Sequence, residues 1–354
     1  MKTKRIIIFL AGVLFLAGCT LTGGGSDGGF YRSDDGGKTF LPKNNISQNG
    51  KAGTIGGVDV LSLAPNPQSG GEIYIGTKTS GIFKTTDAGD NWRLLSVATL
   101  TPNKVYAMAI DPVNPNNVYA ATLVGKRGKI IKSENAGENW KEVYTEPSDG
   151  SIVLSIALDP ANSQNIYAGT DQGQIIFSES GGESWRSLYW TSEKDAVYKI
   201  AIDKSNSQLL YFAIFKKGII RSKDGGKNFE ELGQNNSFEK DSDLQNPTAI
   251  IADPNRPGWV YAGTGKGLIR SKDGGDSWEA VSILNKAEEQ SIWSIDINTQ
   301  NSDEIIYSVS KAFYKSNDGG VNWMTVQFDS SRSPNMVSYN PQKPEMIYIG
   351  MSKK

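Results

Sequence analysis

The chain has 354 residues with 37 basic and 38 acidic side chains, a formal charge of −1, no histidine and a single cysteine. The missing histidine excludes Ser-His-Asp and Cys-His catalysis, His-ligated metal and histidine-based pH switching, and the lone cysteine excludes an intrachain disulfide and a Cys-based zinc site. The balanced charge argues against general nucleic-acid binding, while 39 glycines and 14 prolines suit many short strands joined by turns.

Residues 1–18 read as a secretory signal. Lys2, Lys4 and Arg5 precede an apolar run from Ile6 to Leu16 that is too short to remain as a membrane span. The sequence Leu16-Ala17-Gly18-Cys19 resembles the lipobox of bacterial lipoproteins. That resemblance implies cleavage before Cys19, diacylation of its sulfur, and anchoring by acyl chains such as palmitate without a transmembrane helix. Loss of the leader would leave 34 basic against 38 acidic residues, a charge of −4. Residues 19–29 form the lipidated cysteine and a Gly-rich tether, whose ten residues after Cys19 span at most about 35 Å. The expected location is the extracytoplasmic side of a bacterial envelope membrane, the outer one in a cell with two. Thr20 is not the Asp that favours retention at the inner membrane.

From residue 30 onward one octet recurs: SDDGGKTF at Ser33, TTDAGDNW at Thr85, SENAGENW at Ser133, SESGGESW at Ser178, SKDGGKNF at Ser222, SKDGGDSW at Ser271 and SNDGGVNW at Ser316. Its spacing of 44 to 52 residues is the signature of a repeat architecture. Glycines such as Gly36 and Gly226 supply the positive φ of a tight hairpin turn, the acid before them accepts turn N–H groups, and the closing Trp or Phe starts the next strand. The octet lacks the twelve-residue carboxylate spacing of a calcium loop, and Asn135 and Ser180 replace its acid in two copies, so no metal or other cofactor is expected.

Between octets the order is an apolar strand, an Asn/Asp-Pro turn, a strand ending in Tyr-Ala-Gly-Thr or similar, a turn, and a strand into the next octet. Four strands per 40 to 50 residues is the period of a propeller blade. The N-terminal "FYRSDDGGKTF" holds only the last two strands of a blade, and Asn335 to Lys354 only the first two. The predicted fold over residues 30–354 is therefore an all-β, seven-bladed propeller of four-stranded blades, closed by pairing its two ends in one composite sheet.

These S-x-D-x-G-x-x-W octets resemble the Asp boxes of the BNR and sortilin-like repeat families. The full repeat is similar to the seven-bladed photosystem II stability/assembly factor family, over nearly all of the chain from Phe30 onward. The resemblance is specific for fold and weak for activity, because Asp-box propellers include sialidases, xyloglucanases, sorting receptors and assembly factors.

A glycoside hydrolase would need two carboxylates across a cleft. Asp59 and Asp296, at the innermost strands of the first and sixth blades, are the candidates. Asp296 interrupts a small or apolar column of Ser62, Ala109, Ala157, Ala201, Ile251 and Ser338, and Lys199 interrupts Ala107, Ser155, Ala249 and Ser294 in another, so these acids and Lys199 are expected to line the channel or a cleft. The early Phe/Tyr-Arg-Ile-Pro motif of sialidases is absent, and Arg32, Arg221 and Arg270 share one strand column with Lys84, Lys132 and Lys315 rather than forming a triad. "GTGKG" at Gly263 is an inter-strand turn, equivalent to "GTDQG", rather than a phosphate loop.

A binder needs only a surface. The loops leading from one blade to the next carry Tyr189, Trp190 and Phe238 as contact anchors. The turns between second and third strands carry Lys78, Lys126, Arg127, Lys129, Lys216, Lys217, Lys266, Lys311, Lys353 and Lys354 around one rim. Such a rim attracts an acidic partner or an anionic membrane, although Glu146, Asp149, Glu193, Asp195, Glu239, Asp241, Asp243, Glu288 and Glu289 in neighbouring loops offset it. The function expected is a membrane-anchored, non-enzymatic propeller that binds a protein partner, as an assembly or stability factor of an envelope complex. The alternative is a glycan-binding or glycan-cleaving envelope protein.

Overall fold

The computed structural model describes residues 27–48, 50–97, 104–232, 246–284 and 291–353. Seven four-stranded antiparallel sheets form its frame. Blade 1 runs Val60–Pro65, Ile73–Thr77, Ile82–Thr85 and Arg93–Leu94 from axis to outside, and blades 2 to 6 repeat the order from Lys104–Ile110 to Met324–Gln327. Blade 7 is composite. Ser333–Tyr339 and Ile347–Ser352 supply its inner half, Gly29–Ser33 and Leu41–Pro42 its outer half, and the ends join through the antiparallel register Gly29↔Met351 to Ser33↔Ile347. Each innermost strand contacts the next around the ring, including the last against the first. The predicted closure is thus the one observed.

Both faces of each second strand are buried, which explains apolar runs such as Ile73–Thr77 and Val260–Thr264. Small residues in these strands let the next blade approach. A Cβ on Gly76 would lie 2.5 Å from Val105 Cγ1, and one on Gly350 would lie 2.6 Å from Val60 Cγ1, so the same close approach operates across the closing seam.

The octets are structural, and their bonds show how. In SKDGGKNF the Ser222 hydroxyl accepts the Gly226 N–H at 2.8 Å, and Asp224 Oδ1 accepts the N–H groups of Lys227 and Asn228 at 3.0 and 2.8 Å. Asn135 and Ser180 preserve the acceptor, taking the N–H of Asn139 at 2.8 Å and of Ser184 at 3.0 Å. Each turn is also an anchor for the preceding blade. The buried Tyr74 and Tyr119 hydroxyls donate to the carbonyls of Ala136 and Gly181, and Lys84, Arg32 and Arg270 reach Ala136, Ala88 and Gly319 at 2.9 Å each. The arginine column is therefore a set of inter-blade ties.

One element was not expected. Asn45–Gln48 and Lys51–Thr54 form a hairpin whose first strand lies parallel beside the outer edge of blade 1, with Trp92 N–H on the Asn45 carbonyl at 2.7 Å and Ser47 N–H on the Trp92 carbonyl at 3.1 Å.

Candidate functional site

The two carboxylates singled out in the sequence have separate structural partners. Asp59 sits at the closing seam, 2.8 Å from Arg332 Nε, and accepts the Lys353 N–H at 2.9 Å. Arg332, whose side chain is 8% exposed, also holds Asp27 at 3.0 Å and the Gly57 carbonyl at 2.9 Å. Burial alone would raise the Asp59 pKa, but these bonds and the guanidinium charge bring it below the ordinary carboxylate value. Asp59, expected to line the channel or a cleft, thus acts as a clasp between Arg332 and Lys353 at the closing seam. Arg332 was missed, yet it is the only arginine in any loop that precedes an innermost strand.

Asp296 is wedged into the seam between blades 6 and 7. One oxygen accepts the Ser338 hydroxyl at 2.9 Å and the Tyr339 N–H at 2.8 Å, and the other accepts the Ile297 N–H at 2.9 Å. Part of its surface stays accessible, but protein surrounds the carboxyl, and burial pushes its pKa up to about 6 despite those donors. Its column needs one correction. Ala64, opposite Tyr74, is its counterpart in blade 1, whereas Ser62 stands opposite Gly76 in the column of Lys199.

Lys199 stands opposite Ala213, where Ser155 stands opposite Gly169 one blade earlier. Ser62 and Ser155 use this position to donate to the next blade's Val105 and Val197 carbonyls at 3.4 and 3.0 Å. Lys199 replaces such a tie with a cation, and burial lowers its pKa. Among the described residues, no hydrogen bond or ion pair joins Lys199, Asp59 and Asp296 to one another.

The expected pH dependence of Asp296 follows from the sign of its shift. A carboxyl whose native pKa is raised from 3.8 to about 6 favours the fold while protonated and loses that contribution as pH climbs through about 6. Wild type should therefore lose up to about 3 kcal/mol relative to Asp296→Ala between pH 4 and pH 7. Urea midpoints at the two pH values measure this difference, and parallel pH curves for the two proteins would show the carboxyl to be solvated.

The rim opposite the octets carries the other predicted residues. Tyr189 and Trp190 end the outer strand Arg186–Trp190 of blade 3 rather than lying in a loop. Tyr189 packs on Phe229 of blade 4 with ring centroids 4.9 Å apart, and is thus a core contact. Trp190 is 53% exposed. Arg127, Lys129 and Lys217 pair with Asp149, Glu142 and Glu231 at 2.8, 2.6 and 3.0 Å, which offsets part of the basic field. Lys126 projects from the tight turn of blade 2, and Lys216 lies over the Phe215 ring at 5.2 Å. Lys266 occupies the "GTGKG" turn, where Thr264 Oγ1 accepts its N–H at 3.0 Å, an inter-strand turn as expected. Cys19, Phe238, Glu239, Asp241, Asp243, Glu288, Glu289 and Lys354 lie outside the described residues.

On the octet face, a hollow of about 400 Å³ between blades 4 and 5 is lined by Asp203, Lys223, Lys272 and Asp273. Its charges are engaged: Lys223 with Asp276 at 2.9 Å, Lys272 with Glu279 at 2.7 Å, and Asp203 with the Gly258 N–H at 2.7 Å.

Fold and octets together define a seven-bladed Asp-box propeller. A family model described as Sortilin, neurotensin receptor 3, matches residues 128–253, from the third strand of blade 2 to the first of blade 5. No curated protein matches the chain. Among solved structures, a Niastella koreensis GH74 enzyme is similar at 19% identity and TM-score 0.68 over 87% of this chain, which spans 52% of that one. YCF48 from Cyanidioschyzon merolae is similar at 13% identity and TM-score 0.63, with 83% of this chain covering 95% of that one. YCF48 bound to D1 peptide gives 14% identity and TM-score 0.61 over 83% and 92%. The chain thus shares its fold with both enzymes and YCF48, and spans about half the length of the GH74 structure.

Proposed function

We propose that this chain is a lipid-anchored, non-enzymatic propeller of the cell envelope that captures a protein partner on the rim opposite its Asp boxes, as an assembly or stability factor. The observation that carries this reading is the engagement of both candidate acids, Asp59 by Arg332 and Asp296 by blade 7, which leaves neither free to serve as half of a hydrolytic pair. The rim supports it with Trp190, Lys126 and Lys216 exposed on neighbouring blades. The fold shared with YCF48 bound to D1 peptide is consistent with peptide capture by such a scaffold.

Reversal of Lys126, Arg127, Lys216 and Lys217 to Glu should reduce capture of the native partner on the order of tenfold and flatten its salt dependence. Affinity purification from the native membrane at two salt concentrations, with partners identified by mass, measures both. Urea midpoints control for the ion pairs that the reversal breaks at Asp149 and Glu231. Unchanged capture by a stably folded variant would place the contact elsewhere. A glycan array with a hydrolysis assay tests the glycan reading, and turnover of any glycan would overturn the non-enzymatic one.

A further inference from the structure

The point at which the described chain enters the propeller lies on the rim opposite the octets. Asp27 is pinned at the closing seam: its carboxylate accepts the Ser330 hydroxyl at 2.9 Å and pairs with Arg332 at 3.0 Å. Gly29–Ser33 then runs from the rim toward its octet, so the segment before Asp27 leaves from the rim opposite the Asp boxes. Only seven residues, Thr20 to Ser26, separate Cys19 from Asp27, and they span at most about 25 Å.

Exposed apolar side chains lie on that same rim, across the ring from the entry point. Trp190 ends the outer strand of blade 3, Phe215 occupies the turn between the second and third strands of blade 4, and Leu284 follows the outer strand of blade 5; they are 53%, 49% and 61% exposed. Lys216 over the Phe215 ring gives a paired aromatic and cation, a combination suited to a headgroup region. Charge is polarised in the same sense. The seven octets carry twelve acids against four lysines; the column cations Arg32, Lys132 and Arg221 pair with some of them, while Asp224, Asp273 and Asp318, lowered to about 2 by N–H and hydroxyl donors, stay ionised. The opposite rim carries the turn cations, of which Arg127, Lys129 and Lys217 are paired with acids and Lys126 and Lys216 are exposed.

We infer that, while no protein partner occupies it, this rim lies against an anionic lipid bilayer, the tether holding blade 7 and Trp190, Phe215 and Leu284 seating blades 3 to 5 at the lipid interface, so that lipid and partner compete for one face. The inference rests on the lipid-anchor reading of Cys19. Three attachments on one side and a tether on the other hold the ring flat, whereas a tether alone would let the propeller tumble. The acidic octet face then points away from the bilayer.

The test uses the full lipidated chain in vesicles of phosphatidylglycerol and phosphatidylcholine with brominated acyl chains. A fluorophore is placed on the rim at Ser192→Cys or on the octet face at Lys227→Cys, both exposed, and acylation of Cys19 leaves the new thiol as the label's target. The rim probe should be quenched several-fold more than the octet probe, and Trp190→Ser with Phe215→Ser should reduce that difference. Equal or reversed quenching with acylated Cys19 overturns the orientation alone. A rim probe that is unquenched by lipid and shielded only on addition of a protein partner also overturns it, while leaving the partner-binding reading intact. Absence of acyl mass on Cys19 removes the anchor on which both rest.

Discussion

Deletion of Asn335 to Lys354 should abolish cooperative folding and leave an aggregating chain, measured as loss of the urea transition and of the monomer peak in gel filtration. The deleted segment contains Val337, Tyr339, Ile347, Tyr348, Ile349 and Met351, none more than 5% exposed. At about 1.5 to 3 kcal/mol for each buried side chain, their loss equals or exceeds the about 5 to 15 kcal/mol that holds an ordinary domain together. The deletion also strips Gly29–Ser33 of its partner strand and opens the ring of innermost strands, exposing the edges of blades 6 and 1. A soluble truncation with a single sharp transition would mean that six blades suffice and that the composite sheet is an accessory.

That closure was legible because it follows from counting. Seven octets at a regular spacing give seven blades, and half a blade at each end gives the seam. What counting leaves loose is the register within a strand. Ser62 and Ala64 are both small and lie two residues apart, and only their partners across the sheet, Gly76 and Tyr74, place Ser62 with Lys199 and Ala64 with Asp296. The hairpin Asn45–Thr54 escaped for another reason: Ile46 is its only large apolar residue, so it carries no alternating pattern, and its position comes from hydrogen bonds to Trp92. Tyr189 resembled a loop anchor because it precedes a polar stretch, but Phe229 from the next repeat covers it, a contact that lies beyond local pattern.

The unusual acids show the same division. Their departure from the repeat pattern was visible, and it does mark special positions. Asp296 and Asp59 both lie at blade 7, the sheet that no single stretch of sequence completes. Their departure from the repeat therefore coincides with the place where the ring must be locked, and the partner side chains that reveal this, Ser338 and Arg332, lie 42 and 273 residues away in the chain.

Arg332→Ala should be the most damaging single substitution at that lock, with a loss of about 2 to 4 kcal/mol. The guanidinium binds Asp59, Asp27 and the Gly57 carbonyl together, so it joins residues from the chain's beginning to the blade formed by its end. Removing one partner of a buried ion pair costs about 3 to 5 kcal/mol because the other charge is left without compensation. The value expected here is lower because the Asp27 side chain is 34% exposed and water screens it. Arg332→Lys should recover only part of the loss, since an ammonium cannot span the three acceptors as the planar fork does. The pH dependence has a definite sign. Asp59 is lowered below the ordinary value near 3.8 with Arg332 among the causes, whereas the donors that lower Asp27 to about 2 are Ser330 and Ser331, so the Arg332 contribution is present above about 3.8 and is lost as Asp59 becomes protonated at lower pH. Urea midpoints of wild type and Arg332→Ala should therefore differ most at neutral pH and converge near pH 2 to 3. A difference that persists undiminished at pH 2 would show that Arg332 acts by packing, and no difference at pH 7 would show that the seam holds without it.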